Sequence, residues 1–136
     1  MPNRIRLLAL SAMVVASACT SGDFVAPTVS SSDTYILHSF NGGALPAVIS
    51  SDAQGEVALL DDSFEFQNGG SYLERGHLRT TRGGVVTVQT LESPGTYSRA
   101  GSAVTLVSTS GTITGSFAEN KTLTIVAGTN TLIFRR

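Results

Sequence analysis

FEFQNGGSYLERGHLR, residues 64–79, alternates apolar and polar residues on either side of Asn68-Gly69-Gly70. A period of two marks a strand with one buried face, and Asn and Gly supply the positive φ angles a tight turn needs. The stretch therefore predicts a β-hairpin. A three-residue loop at 68–70 pairs positions whose numbers sum to 138. Phe66 then faces Tyr72, and Leu60 faces Leu78, on the buried side. Asp61 faces His77 and Ser63 faces Arg75 on the wet side, with Glu65 diagonal to Arg75. A register summing to 139 would set Glu65 directly against Glu74. It would also part Phe66 from Tyr72, because a slip of one residue turns a strand's side chains to the other face. The 138 register is the expectation, with an outward Asp61–His77 contact, no metal there, and His77 as an ordinary surface residue.

Outward from this hairpin the same grammar continues. Thr and Val are common, charges are sparse, and Gly, Asn or Pro interrupts at short intervals. Strands are predicted at 34–41, 45–50, 55–67, 71–81, 84–92, 95–100, 103–108, 111–118, 122–127 and 131–135. No window of ten residues keeps a helical period. Turns are expected at Asn68-Gly69-Gly70, Arg82-Gly83-Gly84, Ser93-Pro94-Gly95, Ser108–Gly111, Glu119-Asn120-Lys121 and Gly128-Thr129-Asn130. All are tight, so successive strands should pair antiparallel as a meander. Three copies of Gly, a small hydroxyl residue and an aromatic, at 70–72, 95–97 and 115–117, read as hairpin starts with the glycine in the turn.

Alternation assigns the faces. Leu60, Phe64 and Phe66 share one side of their strand, with Asp62 interrupting it, and Tyr72 and Leu78 share one side of the next. Val104, Leu106, Ile113, Phe117, Leu123, Ile125, Leu132 and Phe134 continue the series, with Thr and Ser opposite. The expected fold is all-β: an antiparallel meander of about eight to ten short strands closing into a small barrel, with a two-sheet β-sandwich as the alternative. Residues 34–136 suffice for one such domain.

The runs 64–79, 84–108 and 111–136 resemble small lipocalin-like domains of bacterial lipoproteins, which share the alternating strand, the hairpin ending in a hydroxyl residue and Tyr, and closing strands of the form Leu-Thr-Ile. The Gly-x-Trp of longer lipocalins is absent, because the chain has no Trp. A small barrel can hold one apolar ligand at its mouth or inside. Phe64, Phe66, Tyr72, Tyr97 and Phe117 would then form the pocket or simply fill the core.

At the N-terminus, Arg4 and Arg6 precede an apolar run at 7–16 and the small residues Ser17 and Ala18. This is the pattern of a signal peptide over residues 1–18, and it is too short to span a bilayer. Ala16-Ser17-Ala18-Cys19 resembles the bacterial lipobox, with Ala16 where the pattern usually has Leu. That resemblance implies acylation of Cys19 and a membrane anchor of several acyl chains. Thr20 is not the Asp that holds some lipoproteins at the inner membrane, so the outer membrane is expected. Residues 19–33, polar and without period, read as a tether. Cys19 is the only cysteine, so no disulfide can form within the chain.

Charge excludes some partners. The chain carries 9 basic and 10 acidic residues; loss of Arg4 and Arg6 with the leader leaves a net of −3. No basic cluster points to nucleic acid. The only histidines, His38 and His77, have no Cys or His at zinc spacing, and Asp61-Asp62 should point to opposite faces. No nucleophile elbow, phosphate loop or calcium loop occurs, so neither an enzyme nor a cofactor is expected. Outward Thr, Ser, Glu and Arg exclude a barrel in lipid. Two functions remain: a binding module for a small apolar ligand, or a filled barrel that meets another envelope protein as an interaction, inhibitor or structural lipoprotein.

Overall fold

A computed structural model describes residues 32–136. The expected signal peptide at 1–18, Cys19 and nearly all of the expected tether lie outside the described residues. The rest is strand: β1 Asp33–Phe40, β2 Ala47–Asp52, β3 Gly55–Gln67, β4 Ser71–Arg82, β5 Val85–Ala100, β6 Ala103–Ser108, β7 Gly111–Ala118, β8 Thr122–Ala127 and β9 Asn130–Arg135. Every pairing is antiparallel, in the order β1-β9-β8-β7-β6-β5-β4-β3-β2, and β1 also pairs with β3. That second pairing closes eight strands into a barrel and leaves β2 as an extra strand beside the first half of β3. A single closed sheet replaces the alternative sandwich.

The hairpin register is the expected one near the turn. Phe66 pairs with Tyr72, Ser63 with Arg75 and Asp61 with His77. Gly69 and Gly70 have φ of +92° and +83°, which only residues without a Cβ adopt cheaply. A β-bulge between Leu59 and Asp61 then shifts the register, so Leu78 faces Leu59 and not Leu60. The bulge lets Leu59 turn inward beyond Asp62 on a strand that must bend to serve both β1 and β2.

Two further expectations are corrected. Ser93-Pro94-Gly95 is not a turn, because β5 runs unbroken through it, with Pro94 opposite Leu73 and Gly95 opposite Tyr72. Pro is tolerated because it sits where β5 passes from a free edge to a paired one: β6 joins only from Gly95 onward. Likewise, of the three repeat glycines only Gly70 lies in a turn. Gly95 and Gly115 are strand residues covered by a neighbour's side chain. A Cβ on Gly95 would stand 2.5 Å from the Tyr72 ring, and one on Gly115 2.6 Å from Ile125.

The barrel interior is filled at one end by an aromatic cluster. Phe64, Phe66 and Phe134 are fully buried, and burying each contributes about 1.5–3 kcal/mol. Phe66 meets Tyr97 edge-on at 4.9 Å between centroids, and Phe64 meets Phe134 at 5.0 Å. Leu106, Leu123 and Ile125 complete the floor. At the other end β3, β4 and β5 run on past the closed part. With β2 they make a flap of sheet, on which Val85, Val86 and Val88 are 58–64% exposed.

Candidate ligand cavity

The barrel opens where β5 and β6 part. β6 ends at Ser108 and turns into β7, while β5 continues beside β4 toward Val85. Between the flap and the β6–β7 hairpin lies an open cavity of about 600 Å³. Its apolar lining includes Leu59, Tyr72, Leu91, Ile113 and Ala127.

Two carboxyl groups reach it from the inner face of the flap, Asp62 from β3 and Glu74 from β4. Asp62 pairs with Gly76, and Glu74 with Phe64, so the two are diagonal neighbours on one face. Gly76 makes the room: a Cβ there would stand 3.2 Å from the Asp62 Oδ1. Asp62 is 8% exposed, and its Oδ1 accepts a hydrogen bond from the Ser63 N–H at 2.8 Å. Burial, then the charge of Glu74, pushes its carboxyl up to about 8, despite the Ser63 hydrogen bond. Burial also raises the pKa of Glu74. The Tyr72 phenol is raised by burial too, with Ser108 beside it as a hydrogen-bond partner. At neutral pH Asp62 therefore keeps its proton and can donate a hydrogen bond. A cation placed between the two groups would draw that proton off.

On the outside of the same strands the charges are paired. His77 Nδ1 lies 2.7 Å from Asp61 Oδ1, Arg75 lies between Glu65 and Glu92, and Arg79 meets Glu56 at 3.4 Å. His38 is exposed at the β1 bulge. Among the described residues no three His, Cys, Asp or Glu side chains converge on a metal position.

The five aromatics named from sequence divide between the two ends. Phe64 is in the core alone. Phe66, Tyr97 and Phe117 border a small pocket of about 30 Å³ at the filled end, where the Arg99 guanidinium lies 4.8 Å from the Phe117 ring centroid. Only Tyr72 reaches the large cavity. Asp62 and Glu74 are not among the site residues expected from the sequence, although both stand on apolar faces, Asp62 with Phe64 and Phe66, Glu74 with Tyr72 and Leu78. An acid at an inward position of each of two paired strands was the available signal. Comparison with protein-family models, curated proteins and solved structures finds no match.

Proposed function

We propose that this chain is a lipid-anchored protein of the bacterial envelope whose barrel is a non-catalytic binding module for a small, mainly apolar ligand. The cavity carries the reading. Its volume of about 600 Å³ falls within the range of small-molecule sites, roughly 300–1,000 Å³. Its walls are mostly apolar with a few convergent polar groups, the usual make-up of such sites. The lipocalin-like resemblance supports the same use of a barrel mouth. The lipobox resemblance at Ala16–Cys19 supports an anchor, expected at the outer membrane. Native mass spectrometry of the protein drawn from a bacterial extract tests the module: a co-purifying mass, lost when Ile113→Trp fills the cavity, is the expected result. A bare mass from every extract counts against it. The anchor is tested by Cys19→Ala, which should move the protein from membranes to the soluble fraction or leave the leader uncleaved.

A second reading, contact with another envelope protein, is favoured by one observation. Among the described residues no strand pairs with the outer edge of β5 over 85–94, and Val85-Val86-Thr87-Val88 carries no charge to block pairing. Cross-linking in intact cells, compared between the native chain and Val86→Lys, separates this reading from the first.

A further inference from the structure

The barrel buries two aspartates, Asp33 at 9% and Asp62 at 8% exposure. Asp33, at the filled end, makes an ion pair with Arg136. Asp62, at the open end, has no such partner among the described residues. The titratable side chains around its cavity are Asp62, Glu74, Glu92 and Tyr72. No Arg, Lys or His lines it among the described residues. Glu92 is engaged by Arg75 on the outer side, and the adjacent Asp61 points outward to His77. Asp62 and Glu74 thus face a cavity whose remaining polar lining is the hydroxyl residues Ser93, Ser108, Thr109, Ser110 and Thr112, with nothing of opposite sign among the described residues. A buried carboxylate is costly unless a cation or several hydrogen bonds meet it. A purely apolar ligand would leave these two groups as they are, and a carboxylated ligand would be repelled once either of them is ionised.

We propose that the cavity takes a ligand with a positively charged amine or quaternary ammonium head and an apolar body. The head sits between Asp62 and Glu74, and the body lies against Leu59, Leu91 and Ile113. This rests on the binding-module reading above and adds the chemical class of its ligand. A cation in that place supplies for Asp62 what Arg136 supplies for Asp33. Because burial favours the protonated form of Asp62, binding a permanent cation beside it releases that proton, and affinity rises with pH.

Three probes with the same eight-carbon tail test this by calorimetry: octyltrimethylammonium, octanol and octyl sulfate. The protein is the chain carrying Cys19→Ala, recovered from the soluble fraction. The expected result at pH 8 is a preference of about tenfold or more for the cation over octanol, with the sulfate weakest. Affinity for the cation should climb between pH 6 and pH 8 by up to about tenfold per unit, with proton release seen as a dependence on buffer ionisation heat. In Asp62→Asn and Glu74→Gln the ratio of cation to octanol affinity should fall toward one. Both variants keep the side-chain shape, and a thermal melt of each verifies folding. Equal affinity for octanol and the cation would overturn the amine-head proposal and leave the binding module standing. A cation preference that survives both substitutions would also overturn it. Failure of all three probes to bind overturns the proposal and the module together.

Discussion

The two ends of this barrel are made of the same strands and are finished in opposite ways. At the end bordered by Asp33 and Arg99, the aromatic rings of Tyr35, Phe66, Tyr97 and Phe117 fill the space, and Arg136 answers the buried Asp33. At the other end the inward positions of β3 and β4 carry Asp62, Glu74 and Gly76, and the space before them stays open. The difference lies in strand length. β3, β4 and β5 have 13, 12 and 16 residues, while β6 and β8 have six each. Where all eight strands are present, the interior is just wide enough for side chains to fill it. Where only the long strands continue, the far wall is missing and side chains from one side cannot reach across. One end is closed by packed side chains, and the other keeps a cavity.

The sharpest way to break this contrast is at the filled end. Phe64→Ala removes a ring set against Phe66, Tyr72 and Phe134, and should cost about 3–5 kcal/mol in chemical denaturation. A loss under about 1 kcal/mol would mean that the end is loosely packed and the contrast false.

The open end should respond to pH. Asp62 titrates near 8 when folded, against 3.8 as its ordinary value. The folded chain therefore binds more protons than the unfolded chain between those values, and stability falls as pH rises. The contribution is fully present below about pH 4 and is lost by about pH 8. Denaturation midpoints should drop between pH 5 and pH 8.5, by a few kcal/mol in stability. Asp62→Asn should flatten that slope and leave the protein more stable than the native chain at pH 8.5. A native profile that rises with pH over this window would show that Asp62 is ionised in the fold.

At the junction of the two ends, Gly95 lets the Tyr72 ring lie flat across β5. Gly95→Ala would put a methyl group 2.4 Å from the Val107 carbonyl oxygen and 2.5 Å from that ring. Overpacking of this kind costs about 1–3 kcal/mol. Gly83→Ala is the control for bulk alone, since no atom stands within 4 Å of a Cβ there, although its φ of +56° adds some strain. A Gly95 variant as stable as the native chain would mean that Tyr72 moves freely into the cavity. The smallest effect belongs to the outer surface of the same hairpin. His77→Ala removes an exposed pair with Asp61 and should shift stability by no more than about 0.5 kcal/mol.

Much of this was legible in residues 64–79. Alternation and Asn68-Gly69-Gly70 were enough for the hairpin, its register near the turn and the outward Asp61–His77 pair, because period and turn geometry are local. β3, β6, β7 and β8 begin and end where Gly and polar turn residues mark them. Ser93-Pro94-Gly95 misled because turn residues carry no information about whether a neighbouring strand runs alongside, and here β4 does. Leu60 misled because a bulge is decided by the bend of β3 between β1 and β2. Asp62 and Glu74 were readable as inward acids, yet a polar residue on an apolar face reads as an interruption until the space before it is known.

By itself the sequence determined the all-β class, the antiparallel succession of the later hairpins and the inward faces of the strands near their turns, since each follows from period, turn chemistry and apolar burial along a few residues. Only the tertiary structure decided that β1 closes on β3, that β5 outruns β6, and that the two buried aspartates meet different surroundings. Those outcomes depend on strands distant in the chain coming side by side, and on where one of them stops while its neighbour continues.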